Sequence, residues 1–416
     1  MLKDVRSAVD ALLKWHRPFR SSDLLLKLQK MTASPFRFFR GTFFLYAADL
    51  AGPFRDPRPL DDHGRIVGDV HTENYGTFRS IGGEIVYDIN DFDEATSGLY
   101  ELDIRRLSTS LILSALEIGH TLGDGLNAAE GAVRAWIEGL HRGANLRRKD
   151  FEAQGNGGPV RALLSLAQEK SRAEFLKGLA NEAAPGQFVF RLRQDLHPVT
   201  EAERKAALRA LPMFLKDCLA PRDARPGRYR FQDIAARTAG NGSLGRVRYA
   251  VLLDKGQRKR TTYSSLRLME WKQALDSAYD SPQPHSSRSR AKSVFEAMRI
   301  LQVSPKRYLG YTRMLDMPMQ AREWGANDQR FAAEDFRRGS SFQSAAALFG
   351  SILARCHLLG TPGKEGPRRI PLRIAAAEGR YINRILQFSS AYAEQMHLDH
   401  EELLARRQEV ERAWKQ

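Results

Sequence analysis

The sequence predicts an α+β protein, mostly helical with a small antiparallel sheet lobe. Three observations carry this. Apolar residues recur at helical spacing over most of the 416 residues, short apolar runs gather in two regions, and glycine-rich turns punctuate those runs.

In order, the first fifty residues read as helices, with Val9, Leu12 and Leu13, then Leu24, Leu25, Leu26 and Leu28, punctuated by Pro18 and Pro35. From Ile66 short runs take over, and Gly82-Gly83 turns into a strand at 84–89. A helix is expected from about Leu102 to about Leu122. Residues 125–215 read as mostly helical, broken by a turn from Gly155 to Pro159. After a break at Pro221 to Gly227 come a Gly-rich turn at 240–245, a strand at 246–253, a polar hairpin at 254–260 and a strand at 262–271. Residues 281–289 read as a linker, and helical patterns run from Ala291 to the end. The chain thus divides into a helical lobe (1–220), a small β-rich lobe (221–280) and a helical part (281–416) packing with the first lobe.

At 416 residues, two lobes are expected rather than one core, and 42% hydrophobic with 27% charged residues excludes a disordered or fibrous chain. The sequence reading finds no stretch near the roughly 18 apolar residues of a membrane span and no signal peptide, so no membrane partner and a cytoplasmic location are expected. Cys218 and Cys356 supply neither a disulfide framework nor a cysteine zinc site. The net charge of +16 favours anionic partners, but it is the sole warrant for nucleic acid: no zinc finger, RRM signature or aromatic-basic interleaving accompanies it.

The chemistry concentrates in Gly68-Asp69-Val70-His71-Thr72-Glu73-Asn74, followed after a hairpin by Asn90-Asp91-Phe92-Asp93-Glu94-Ala95. Phosphoryl transfer requires a carboxylate that takes the acceptor's proton, together with an amide oxygen and a second carboxylate for the metal that neutralises the phosphates. Asp69 fits the first role; Asn74 and Asp91, with Asp93 assisting, fit the second. An Asp, an Asn five residues later, a hairpin and an Asp at a strand end is the layout of a kinase catalytic loop and metal segment. Turn-capping by Asp88, Asp91 and Asp93 is the plain alternative. An EF-hand is excluded because Phe92 occupies position five and no glycine position six.

Gly240, Gly242, Ser243 and Gly245 form a Gly-x-Gly-x-x-Gly pattern that precedes a strand rather than a helix, which suits a hairpin covering phosphates. Lys272 closes the following strand and is the candidate phosphate-binding lysine; a surface lysine at a strand end is the alternative. No Gly-Lys-Ser/Thr phosphate loop exists. The catalytic segment precedes the glycine-rich hairpin, the reverse of ordinary kinase order, so a circularly permuted kinase-like arrangement is expected.

The two acidic segments resemble the aminoglycoside phosphotransferase and choline kinase branch of the kinase-like fold, whose loop reads Gly-Asp-x-His-x-x-Asn and whose metal segment reads Asp-aromatic-acidic-x-Ala. Gly98 and Asp103 match a glycine and a helix-start aspartate that support the loop in that branch. A resemblance to the bacterial family known as domain of unknown function 2252 covers nearly the whole chain. It rests on Ser34 to Gly41, the two acidic segments, Gly242 to Gly245, Tyr308 to Gly310, Leu353 to His357, and Tyr392 to Gln395 with Asp399. Gln273 stands where that family has an acidic neighbour of the lysine, and Cys356 replaces a small residue.

The resemblance implies an ATP- and Mg2+-dependent phosphotransferase acting on a small-molecule or protein hydroxyl. A nucleotidyl (AMP) transferase and a non-catalytic nucleotide-binding regulator, the latter favoured by Gln273, are the alternatives. Arg37 and Arg40, the pair Arg322 and Glu323, Arg355 with His357, and His71 read as structural residues rather than catalytic ones.

Overall fold

The computed structural model describes residues 7–19, 21–56, 60, 62–142, 159–219, 229–240, 244–256, 260–331, 333–337, 339–361 and 367–415. Four short helices open the chain: α1 (Ala8–His16), α2 (Ser21–Met31), α3 (Pro35–Gly41) and α4 (Phe43–Ala51). Ser34 caps α3 through the Arg37 N–H and Pro35 occupies its first turn, where a missing N–H costs nothing. Then come β1 (His63–Ile66), β2 (Tyr75–Arg79), β3 (Ile85–Ile89) and β4 (Thr96–Leu99), paired as β1–β4 and β2–β3. The predicted helix is α5 (Tyr100–Glu117), and α6 (Leu122–Arg142) follows.

The largest core packs α5, α6, Gly339–Leu359 and Glu378–Ala405 together with the opening helices. The backbones of α6 and Gly339–Leu359 meet so closely that a Cβ on Gly350 would lie 2.0 Å from the Ala132 carbonyl oxygen. Among the described residues Gly339–Leu359 alone is long and apolar enough to cross a bilayer on length and composition; 72% of its apolar window is buried, as in a core helix.

The second β-rich stretch builds a larger sheet than residues 221–280 supply. The strands β5 (Ala180–Ala184) and β6 (Gln187–Phe190) form a hairpin. The strands β7 (Leu196–His197), β8 (Arg230–Arg237), β9 (Arg248–Asp254), β10 (Leu266–Gln273), β11 (Gly310–Met314) and β12 (Met317–Glu323) form an antiparallel sheet in the order β11-β12-β10-β9-β8-β7. Three strands thus lie at 180–197 and two at 310–323, where the sequence reading places helices. The physical reason is turn chemistry: β11 and β12 join through Leu315 and Asp316, both at positive φ, a two-residue turn without the usual glycine or asparagine signature. Alternation then divides the sheet's faces: Tyr249, Val251 and Trp271 pack on the helix Glu201–Asp217, whereas Ala250, Leu252 and Leu268 pack on the β5–β6 side. The glycine-rich stretch falls between β8 and β9; Asn241, Gly242 and Ser243 lie outside the described residues, as do 155–158 and the break at 221–227.

Candidate functional site

The loop after β1 is shaped by Gly68, whose φ of 95° is left-handed and whose missing Cβ would stand 2.4 Å from the Glu94 carbonyl oxygen. The backbone N–H groups of Val67 and Gly68 donate to the two oxygens of Asp103, at 2.8 and 2.9 Å. Asp103 also meets His357 Nε2 at 3.0 Å, and Trp136 Nε1 donates to His357 Nδ1 at 3.0 Å. An indole nitrogen only donates, so Nδ1 accepts and the ring proton sits on Nε2, facing Asp103. A buried chain Trp136–His357–Asp103 thereby fixes the loop backbone, and the structural reading of His357 stands.

Asp69 is held from the same helix face. Arg106, one turn after Asp103, reaches Asp69 Oδ1 through Nε at 2.9 Å and Nη2 at 2.8 Å, while its guanidinium lies 3.3 Å from the Phe39 ring centroid. Burial raises the Asp69 carboxyl to about 6, opposed by Arg106 and reinforced by Glu94. Asn74 ends the one-turn helix Thr72–Asn74, and its amide nitrogen donates to the Asp69 carbonyl. That commits the nitrogen and leaves the amide oxygen for a cation.

The second half of the site is the charged end of the sheet. Period two places Leu266, Leu268, Glu270 and Lys272 on one face of β10, and the register sets Arg248 and Gln320 on either side of Lys272 and Arg322 beside Glu270. This face meets the segment after β3. Lys272 pairs with Asp93 and stands 3.9 Å from Asp91; Gln320 Nε2 donates to Asp93 at 2.5 Å, and Arg246 lies 3.2 Å from it. Burial disfavours the ionised Asp93, yet Lys272, Arg246 and Arg248 outweigh it and hold the carboxyl well below its usual range. Burial and the neighbouring Arg248 press the Lys272 ammonium downward. The acidic partner that Gln273 fails to supply to Lys272 is thus provided by Asp93, and Gln273 instead exchanges bonds with the Val247 backbone.

Between these halves lies a cavity of about 450 Å³ lined by Asp69, Asn74, Asp91, Asp93 and Gly240 among others. Lys272 stands immediately behind Asp93. Gly245 is not in the lining; its φ is 96° and its Cβ would touch Phe19 at 3.0 Å, so it serves a close approach rather than a ligand. Arg322 lines the cavity, paired with Glu270 at 3.2 Å and donating to the Asn90 carbonyl, while Glu323 pairs with Arg307 at 2.6 Å. Arg355 is a core residue paired with Asp88. The sequence reading missed Arg106, Arg246, Arg248 and Glu270, though the alternation through Glu270 and Lys272 was a usable signal. Among the described residues no group of three or more His, Cys, Asp or Glu side chains is arranged to hold a metal ion.

Lys27, from α2, also lines the cavity, and burial followed by Arg246 brings its ammonium down to about 7, against the pull of Asp69 and Glu94. Between about pH 7 and 10 the folded protein therefore binds fewer protons than the unfolded chain, so this group's contribution to stability improves as pH rises through that window. Lys27→Met is expected to unfold at higher denaturant than the parent at pH 6.5, by up to several kcal/mol, with the gap closing towards pH 10. A gap unchanged across that range would show that Lys27 does not titrate there.

The family model described as "Uncharacterized protein conserved in bacteria (DUF2252)" matches residues 20–406. No curated protein and no solved structure matches.

Proposed function

The chain belongs to the DUF2252 family of proteins conserved in bacteria, and from that premise we propose that it is a kinase-like phosphotransferase that moves a phosphoryl group from ATP to a hydroxyl acceptor. One observation carries the reading: Asp69, Asn74 and Asp91 line one charged cavity, and Lys272, from a third separated stretch, stands behind its Asp93 wall. Acidic turns that merely cap themselves have no reason to meet a buried lysine about 180 residues away. In this reading the two halves form a circularly permuted kinase-like arrangement, with β8–β10 supplying the phosphate-facing lobe.

The donor set fits a small hard cation that keeps most of its coordination for phosphate and water oxygens. Asn74 offers an amide oxygen, and the Asp91 side chain, 29% exposed, has a long contact to Lys272 and a 3.3 Å bond from the Asp93 backbone N–H, both at Oδ1. Asp93 is committed to Lys272, Arg246 and Gln320, so its part is to orient the lysine rather than to ligate. A bound Mg2+ supplies charge neutralisation of the transferring phosphates. Asp69 accepts the proton of the acceptor hydroxyl as its oxygen bonds to the γ-phosphorus and ADP leaves with the electron pair of the broken bond. Arg106 keeps that carboxylate aimed, and the clamp on Val67 and Gly68 keeps the loop from moving away.

ATP with magnesium is expected to raise the unfolding temperature by roughly 3 °C at a hundredfold excess over Kd, ATP without magnesium by less, and Asp91→Ala to lose the magnesium-dependent part. No shift in the parent protein would sink the nucleotide site. Label placed on the α- or γ-phosphate then separates AMP transfer from phosphoryl transfer.

A further inference from the structure

The cavity's arginines are paired to different degrees. On the sheet wall each has a carboxylate in reach: Arg246 meets Glu94 at 2.6 Å and Arg248 meets Glu270 at 2.8 Å, a carboxylate it shares with Arg237 and Arg322. The Asp69 side holds Arg40 and Arg330. Arg40, 6% exposed, shares Glu73 with Arg37, at 2.6 and 3.4 Å, and Arg37 also takes Glu117 at 3.1 Å. Arg330, exposed at the cavity, makes no ion pair among the described residues. On this side the buried polar atoms Arg40 Nε, Arg106 Nη1 and Nδ1 of His71, itself 5% exposed, have no hydrogen-bond partner; Arg237 Nε and Arg248 Nε are open on the sheet wall as well. A buried guanidinium N–H and a buried ring nitrogen left open on a cavity wall are groups that a ligand would satisfy.

We propose that the acceptor is an anionic alcohol, a small hydroxyl compound bearing a phosphate or carboxylate, whose anion is gripped by Arg40, His71 and Arg330 while its hydroxyl lies at Asp69. This deepens the phosphotransferase reading and rests on it. Guanidinium forks suit tetrahedral and planar oxyanions, and the unpaired Arg330 disfavours cationic alcohols. Placement beside Asp69 assigns this wall to the acceptor, because the groups around Asp91 and Lys272 belong to the opposite wall.

The test uses sulfate as the anion probe on the full chain, with the nucleotide site saturated by a non-hydrolysable ATP analogue and magnesium, against chloride of equal ionic strength. Sulfate is expected to stabilise the parent protein further, with apparent affinity weakened about tenfold or more in Arg40→Met and severalfold in Arg330→Ala. Both variants keep the nucleotide shift. The exposed Arg330 position guards against a folding failure at Arg40. The proposal is overturned if sulfate does no more than chloride, if both variants respond to it like the parent, or if Arg40→Met loses the nucleotide shift, which would make Arg40 a nucleotide residue. A parent that ignores ATP yet binds sulfate through Arg40 would instead discard the phosphotransferase reading and leave the anion subsite.

Discussion

Asp69→Asn is expected to lower phosphoryl transfer by about 10²- to 10⁴-fold while leaving the magnesium-dependent stabilisation by ATP intact. The amide cannot accept the acceptor's proton, but it still offers an oxygen to Arg106, whose Nε and Nη2 both reach Oδ1. The backbone carbonyl that Asn74 grips is untouched, so the amide oxygen of Asn74 stays where it is. Binding and chemistry should therefore separate, with the loss in kcat rather than in nucleotide affinity. Release of ADP with water or an added alcohol as acceptor measures the first, and a melt with Mg·ATP the second. An unchanged rate would remove Asp69 from the role of base, and a lost ATP shift would make it a nucleotide ligand instead.

Asp103→Ala is expected to be the most destabilising single change, by about 4 kcal/mol or more, because it strands three buried donors at once. The Val67 and Gly68 N–H groups and His357 Nε2 all point at this carboxylate, with Asp103 and His357 fully buried. Denaturant unfolding measures the loss. A double-mutant cycle with His357→Gln, which keeps a donor but shifts its reach, is expected to show a coupling of about 1 kcal/mol or more. Independent, additive effects would mean that the chain from Trp136 does not hold the loop as a unit.

How much of the site was legible follows from the kind of signal each residue leaves. Asp69, Asn74, Asp91 and Asp93 stand within two contiguous segments, where local spacing shows them. Lys272 was readable as a lysine at a strand end, but only the docking of β10 against the segment after β3 supplied Asp93 as its partner. Arg106 sits in the middle of a helix whose residues are buried all round, so nothing in its spacing separates it from an arginine covering the core. The hairpins at 180–190 and 310–323 were hidden because their apolar runs are short and the Leu315-Asp316 turn lacks glycine. Lys27 and Arg40 belong to opening helices whose apolar faces were clear, but their polar faces were not assigned to any partner.

The sequence by itself determined the mixed α+β class, the helical opening, the loop from Gly68 to Asn74 and the strand after the glycine-rich stretch, because each is set by interactions within a few residues: periodicity, capping and turn preference. Tertiary structure alone decided which charges face one another. A carboxylate's partner is chosen by distance in space, and the pairing of Lys272 with Asp93 and of Asp103 with His357 joins residues that no local rule connects. The sharing of Glu270 among Arg237, Arg248 and Arg322 is of the same kind, since β8, β9, β10 and β12 must lie side by side before those guanidiniums meet one carboxylate.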